Sequence, residues 1–243
     1  MLSHPTLDKL HELKLTGMAR ALEEQLQTRG PYAEMSFEER LGLLVDREEL
    51  DRTDRRLKHR LRRAKLRQAA SVEDLDFRHP RGLDRRLLAS LIGCGWIAEH
   101  RNLLVTGPTG TGKTYIACAL AHKACREGYT ALYVRCSTLL RELELARVDG
   151  SYGKRLNRLA KIDVLVLDDW GLVPIAEAQR RDLYEILEDR TGLRSTIVTS
   201  QYPVDTWHEL LGEPTLADAI LDRLVHGAHR IALSGDSMRK EAS

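Results

Sequence analysis

Residues 104–117 read LVTGPTGTGKTYIA, and no other stretch constrains the fold of this chain as tightly. Glycine inside regular structure costs roughly 1 kcal/mol against alanine. Gly107, Gly110 and Gly112, three glycines within six residues, therefore mark backbone that has to curl where a side chain would obstruct it. With Lys113 and Thr114 they fit G-x-x-x-x-G-K-[ST], the phosphate-binding loop. The motif follows an apolar run and opens an amphipathic one, which is the strand–loop–helix context such a loop requires. Successive N–H groups of the loop would converge on one spot, and the following helix adds its own unpaired N–H groups and its dipole there. Gly107, Pro108, Thr109, Gly110, Thr111, Gly112, Lys113, Thr114 and Tyr115 are the expected nucleotide contacts. Lys113 is expected on the β- and γ-phosphates and the Thr114 hydroxyl on Mg2+.

The loop sits in a repeating texture. NLLVTG (102–107), TALYVRC (130–136), IDVLVLDD (162–169), STIVTSQ (195–201) and RIALSG (230–235) are short apolar, β-branched runs. Helical patterns fill the intervals, near 113–127, 137–147, 151–161, 176–191 and 216–226. Buried strands alternating with helices predict a three-layer α/β domain on a five-stranded parallel sheet. The third run ends in Asp168-Asp169. Beside a phosphate loop, Asp168 is expected to hold Mg2+ through its water shell, and Asp169 to orient or deprotonate an attacking water.

Upstream of residue 70 the pattern is all-helical. LDKLHELKLTGMARALEEQL spaces its leucines for a helix, and Ser36 followed by Glu39 resembles a capping box opening another, over about 37–68. The later turns of that helix carry Arg52, Arg55, Arg56, Lys58, Arg60, Arg62, Arg63, Lys65 and Arg67 against Asp54 alone. Such a block seeks phosphates or an acidic surface. SVEDLDFRHPRGLDR reads as a linker with turn signals at His79-Pro80 and Arg81-Gly82. The expected division is a helical domain over 1–70, a linker over 71–99 and an ATPase domain over 100–243. Trp96 and Ile97 are candidates for the wall of an adenine pocket, with core packing the other reading of Trp96.

Composition narrows the class. With 42% apolar and 30% charged residues the chain reads as an ordinary soluble protein, and aromatics at 5% argue against a sheet built to stack bases. Cys94, Cys118, Cys125 and Cys136 form no C-x-x-C pair, which suits a reduced, cytoplasmic protein without a zinc site. No signal pattern opens the chain, and no apolar run nears the ~20 residues that span a bilayer.

GPTGTGKTYIACAL, VLVLDDWGL, TIVTSQYPVDTWHELL, DAILDRLVHGAHRI and LSGDSMRK together resemble the AAA+ ATPases. Within that superfamily the chain looks like the IstB transposition helpers, with the DnaC-type helicase loaders as nearest relatives. The resemblance is strong over about residues 100–240. It implies ATP and Mg2+ as ligands, an oligomer, and a polar sensor at the end of the fourth strand. Thr199, Ser200 and Gln201 all compete for that sensor role, and Gln201 is preferred because its amide is alike in chemistry to the usual asparagine. It also implies that Arg223 acts as an arginine finger on the nucleotide of the next subunit; a surface ion pair to Asp218 or Asp222 is the alternative. Arg239 looks like a lid-borne sensor arginine, although the chain has no room for a full lid. Asp169 departs from the glutamate usual at its position, and its shorter reach implies slow turnover.

The resemblance further implies double-stranded DNA as a partner of the basic helix, and a separately encoded transposase. Lys154, Arg155 and Arg158 fall where AAA+ rings expose channel residues; they either touch DNA or form an exposed helix face. The expected function is an ATP-dependent, DNA-binding ATPase that oligomerises on duplex DNA and assists the transposase. A helicase loader that prefers single strands is the first alternative. A nucleotide-gated scaffold without hydrolysis and a small-molecule kinase are rivals of other classes.

Overall fold

The structure is a computed structural model and describes residues 4–238. Contacts within the chain divide it into two compact units, one ending at His59 and one beginning at Arg60.

The first unit holds α1 (Pro5–Glu12), α2 (Thr16–Gln27), α3 (Arg29–Tyr32) and the longer part of α4 (Phe37–Ala64). Ser36 and Glu39 open α4 reciprocally: the Glu39 N–H donates to Ser36 Oγ at 3.2 Å, and the Ser36 N–H to Glu39 Oε2 at 2.7 Å. Gly17 lets α2 press on α4, since a Cβ there would stand 2.7 Å from Glu48 Cα. The buried Glu48 carboxylate then accepts from the N–H groups of Gly17 (2.7 Å) and Met18 (3.3 Å), an anion at the exposed donors of a helix start.

The second unit begins with the last turn of α4, so its boundary lies upstream of the one expected near residue 70. The helix ends at Ala64, and Lys65 takes a left-handed φ of 51°. The stretch expected to be a linker carries two helices, α5 (Arg85–Ile92), capped by Asp84, and α6 (Gly95–Ala98). Leu88, Leu91, Trp96 and Ile97 are buried there, so this stretch is part of the core of the second unit.

Five parallel strands follow: β1 (Leu103–Thr106), β2 (Ala131–Arg135), β3 (Val164–Trp170), β4 (Ser195–Ser200) and β5 (His229–Ala232). They lie in the order β2-β3-β4-β1-β5. The central strands are buried on both faces, which is why their sequences are continuously apolar or β-branched. The covering helices are α7 (Lys113–Arg126), α8 (Cys136–Val148), α9 (Tyr152–Ala160), α10 (Glu177–Glu188), α11 (Trp207–Leu211) and α12 (Pro214–Val225). Helix α7 buries Ala117, Cys118, Ala119, Ala121, Ala124 and Cys125, small residues that allow it close to the sheet. All four cysteines are free and buried, with no disulfide among the described residues.

The chain leaves each strand at the same edge of the sheet. The phosphate loop therefore follows β1, the two aspartates end β3, and Thr199-Ser200-Gln201 end β4, all on one side of the molecule. No helix among the described residues is long and apolar enough to cross a membrane.

Candidate functional site

The phosphate loop is gripped from behind by the chain itself. Gly110 has φ +90°, and a Cβ there would lie 2.1 Å from Ser237 Oγ; Gly112 has φ +91°, and its Cβ would lie 2.4 Å from Arg81 Nη1. Met238 N–H donates to Gly110 O at 3.1 Å, and Leu233 N–H to Thr106 O at 2.7 Å. The glycines thus serve two surfaces, an irregular segment of residues 233–238 outside and an open cleft inside. Arg81 is 2% exposed and donates through Nη1 to Thr111 O (2.9 Å) and through Nη2 to Asp76 O (2.9 Å). No carboxylate pairs with it among the described residues, and its Nε has no hydrogen-bond partner. Burial pushes this guanidinium downward, an effect that only the nearby Asp76 opposes. A buried cation under a phosphate loop, without a counter-ion, suits a polyanionic ligand above it.

On the cleft side, Lys113 Nζ donates to Gly107 O (2.7 Å) and Pro108 O (2.8 Å). Thr114 Oγ1 donates to both oxygens of Asp168, at 3.0 and 3.1 Å. Asp168 is fully buried and also accepts from the hydroxyls of Tyr133 and Thr199. Burial and the Asp168 charge push the Tyr133 phenol well above its ordinary range. Thr199 Oγ1 accepts in turn from the Asp169 N–H at 3.3 Å, so one hydroxyl positions both acids.

Asp169 sits in a break of register between β3 and β4, with a left-handed φ of 61° that aspartate tolerates better than most residues. The bulge turns consecutive carboxylates away from strict alternation and presents Asp169 to the cleft. Burial, then the Asp168 charge, push the Asp169 carboxyl upward against Arg67, Arg135 and Lys113. A carboxylate raised in this way is a better base. The Thr114 hydroxyl and the Asp168 carboxylate, in contact and oxygen-only, are a donor set for a hard cation, so the residues present fit Mg2+.

The cleft holds about 650 Å3, within the range of small-molecule sites. Thr109, Gly110, Gly112, Lys113, Thr114 and Tyr115 line one wall, with Asp169 and Gln201 opposite and Arg67, Gln68, Asp74, Asp76 and Arg81 completing it. Of the three sensor candidates, Gln201 reaches the cleft, Thr199 holds the acids, and Ser200 Oγ donates to Trp170 O at 2.8 Å. Trp96 and Ile97 are not in this wall. Trp96 is 3% exposed and donates from Nε1 to Leu91 O at 3.0 Å, so both residues pack in the core instead. The wall is made by residues 67–81, where the sequence showed only turn signals.

Other predicted residues lie elsewhere. Asn102, immediately before β1, donates to Arg223 O at 2.8 Å, which puts Arg223 at the strand starts, across the sheet from its own phosphate loop. Arg223 pairs with Glu188, stacks 4.7 Å from the Tyr184 ring centroid and donates to Ala219 O at 2.8 Å. Its ionic partner is thus neither Asp218 nor Asp222. Arg239 lies outside the described residues.

The basic block divides. Arg52 and Arg55 bond the Glu48 carboxylate at 2.7 and 3.3 Å. Arg60 donates to Cys125 O at 2.8 Å. Arg67 Nη1 stands 3.5 Å from Asp168 and 3.9 Å from Asp169. For these four, partners within the chain compete with the expected phosphates. Arg56, Lys58, Arg62, Arg63 and Lys65 are exposed. Arg155 bonds Glu142 at 3.1 Å, while Lys154 and Arg158 are exposed on α9. Lys65, Arg135, Arg155 and Arg158 meet in a groove of about 330 Å3 along the edge strand β2, floored by leucines of α8 and α9. Tertiary structure therefore brings Lys65 beside basic residues of β2 and α9 that lie far from it in sequence.

Comparison with known proteins places the chain in a family and a fold. The model of the IstB-like ATP binding protein family matches residues 8–243. An insertion sequence ATP-binding protein of Sinorhizobium fredii (strain NBRC 101917 / NGR234), y4pL, is 56% identical over 99% of this chain and 98% of its own length. A crystal structure of DnaI superposes with a TM-score of 0.57 at 26% identity, over 68% of this chain and 91% of that one. The DnaC helicase loader superposes with a TM-score of 0.55 at 23% identity, over 65% of this chain and 94% of that one, a likeness of fold.

Proposed function

The chain belongs to the IstB-like ATP-binding protein family, and from that premise we propose that it is an ATP-hydrolysing, DNA-binding assembly factor that assists a separately encoded transposase. One observation carries the nucleotide half of this reading: Lys113, Thr114, Asp168 and Asp169 converge at the ends of β1 and β3, the two strands that flank β4, beside a cleft of about 650 Å3. In that cleft the loop N–H groups and Lys113 bind the phosphates, and Lys113 exchanges its carbonyl partners for them. Thr114 and Asp168 would hold Mg2+, which when bound offsets phosphate charge. Asp169 accepts a proton from the attacking water, and Gln201 helps to orient that water. Arg223, remote from its own cleft, acts on the terminal phosphate bound by a neighbouring copy. ATP thereby bridges adjacent copies, and catalysis depends on assembly.

Arg56, Lys58, Arg62, Arg63 and Lys65 supply phosphate contacts to duplex DNA, joined by Lys154 and Arg158. Support for the transposase role comes from relatives, which are ATP-binding proteins of insertion sequences. A helicase-loader role has support from the DnaI and DnaC folds. Size measurement with a slowly hydrolysed ATP analogue, with and without duplex DNA, tests the proposal. A large assembly is expected only with both, and Lys113→Ala should prevent it. Assembly on single strands in preference to duplex would select the loader reading, and assembly on duplex DNA without nucleotide would end the proposal.

A further inference from the structure

Arg67 stands three residues beyond the end of α4, where the sequence suggested only one more cation of a basic block. The structure turns it inward. Its Nη1 lies 3.5 Å from Asp168 Oδ2 and 3.9 Å from Asp169 Oδ2, beside the Tyr133 hydroxyl group that bonds Asp168. The side chain lines the cleft together with Lys113, Thr114 and Gln201. Arg135 Nε reaches Asp169 at 4.0 Å, and the Lys113 charge acts on Asp169 as well. Lys113 faces the carbonyls of its own loop. Two adjacent carboxylates repel, and Arg67, with Arg135 and Lys113, opposes that repulsion at Asp169.

That arrangement conflicts with the other occupant the site is built for. With Mg2+ against Thr114 and Asp168, the guanidinium meets a divalent positive charge where it had an anion. The separations of 3.5 and 3.9 Å are also longer than a good N–H···O bond, so little hydrogen bonding holds Arg67 to the acids. The nearest new anion in the cleft is the terminal phosphate beside Asp169, and a planar guanidinium recognises phosphate oxygens in pairs.

We propose that Arg67 is a nucleotide-state sensor supplied in cis from the segment after α4: it neutralises Asp168 and Asp169 in the nucleotide-free site and pairs with the terminal phosphate once Mg2+ and ATP are bound. The proposal rests on the nucleotide-binding reading of the cleft. It makes the chain prefer ATP to ADP, because only ATP offers the phosphate that Arg67 takes up. It also makes residues 65–68 move with the nucleotide, since the arginine they carry changes partners.

The test measures binding of fluorescent ADP and of a fluorescent, slowly hydrolysed ATP analogue to the full chain in Mg2+. It compares the unaltered protein with Arg67→Gln, Arg67→Lys and Lys113→Ala. Arg67→Gln should weaken the ATP analogue about tenfold, the loss expected for one charge-assisted hydrogen bond, and leave ADP within about twofold. Arg67→Lys should recover part of that loss. Hydrogen exchange on the unaltered chain should show the amides of 65–68 responding to the ATP analogue and not to ADP. Equal weakening of both nucleotides in a folded Arg67→Gln protein, or no weakening of either, would overturn the sensor. So would identical exchange at 65–68 with the two nucleotides. Should the unaltered chain bind neither nucleotide, the reading of the cleft fails first. Loss of both nucleotides in Lys113→Ala, with normal binding by the unaltered protein, keeps the two failures apart.

Discussion

The two edges of the parallel sheet meet the same problem, polar backbone at strand ends, in opposite ways. At the strand starts, Arg190 is 1% exposed and donates to Leu159 O (2.6 Å), Ile162 O (2.8 Å), Ser195 O (2.5 Å) and Thr196 Oγ1 (3.1 Å). Asn102 completes that edge, donating to Arg223 O and accepting from Thr196 N–H at 2.9 Å. These groups find partners within the chain, as buried polar groups require, although Arg194 Nε at the same edge has no hydrogen-bond partner. At the strand exits the arrangement is left open. Asp169 and the loop glycines occupy left-handed backbone, Arg81 keeps an unpaired Nε, and two carboxylates lean on one arginine at more than hydrogen-bond length. Arginine is used at both edges: one example locks a fold, and the others wait for a ligand. Two adjacent carboxylates, with left-handed backbone at Asp169, set the strand exits apart as the candidate functional side.

That contrast can be broken experimentally, and the largest effect belongs to the closed edge. Arg190→Ala would remove the guanidinium donor from the carbonyls of Leu159, Ile162 and Ser195, so unfolding free energy should fall by about 3–5 kcal/mol in urea titrations. Lys113→Ala should shift the same midpoint by less than about 1 kcal/mol while abolishing nucleotide binding. At the open edge, Asp169→Asn should slow phosphate release about 100-fold or more with ATP-dependent assembly intact, read by comparing phosphate release with sedimentation. Unchanged release would remove Asp169 from the chemistry. Thr199→Val deletes the hydroxyl shared by the two acids, and a stability loss of about 1–2 kcal/mol with a raised Mg2+ requirement is expected. The smallest effect is at the exposed cations. Arg56→Ala should lower the slope of log affinity for DNA against log salt by about 1 and leave nucleotide binding unaltered.

Much of this molecule could be read without coordinates. The strand–helix alternation, the phosphate loop, the Asp168-Asp169 pair and the capping box at Ser36 are local patterns, in which the spacing itself is the physics. Gln201 at the cleft was expected through the resemblance to the AAA+ ATPases, as one of three candidates at the end of β4. Less legible were residues 71–99, where Asp84 caps a helix and Leu88, Leu91, Trp96 and Ile97 enter the core; the turn signals around Pro80 and Gly82 hid a segment that folds. The basic block misled differently. Its charges are real, but Arg52 and Arg55 answer Glu48, and Arg67 answers the acids.

The sequence by itself determined the phosphate loop, the parallel sheet and the two acids that follow a strand, because each depends on neighbours a few residues away and on backbone geometry that only certain residues allow. Tertiary structure alone decided where the long side chains go: Arg67 to the acids, Arg81 beneath the loop, Arg190 and Arg223 to the opposite edge. A guanidinium on a flexible stem has several possible partners within reach, and the choice among them is made by whatever the rest of the chain packs opposite.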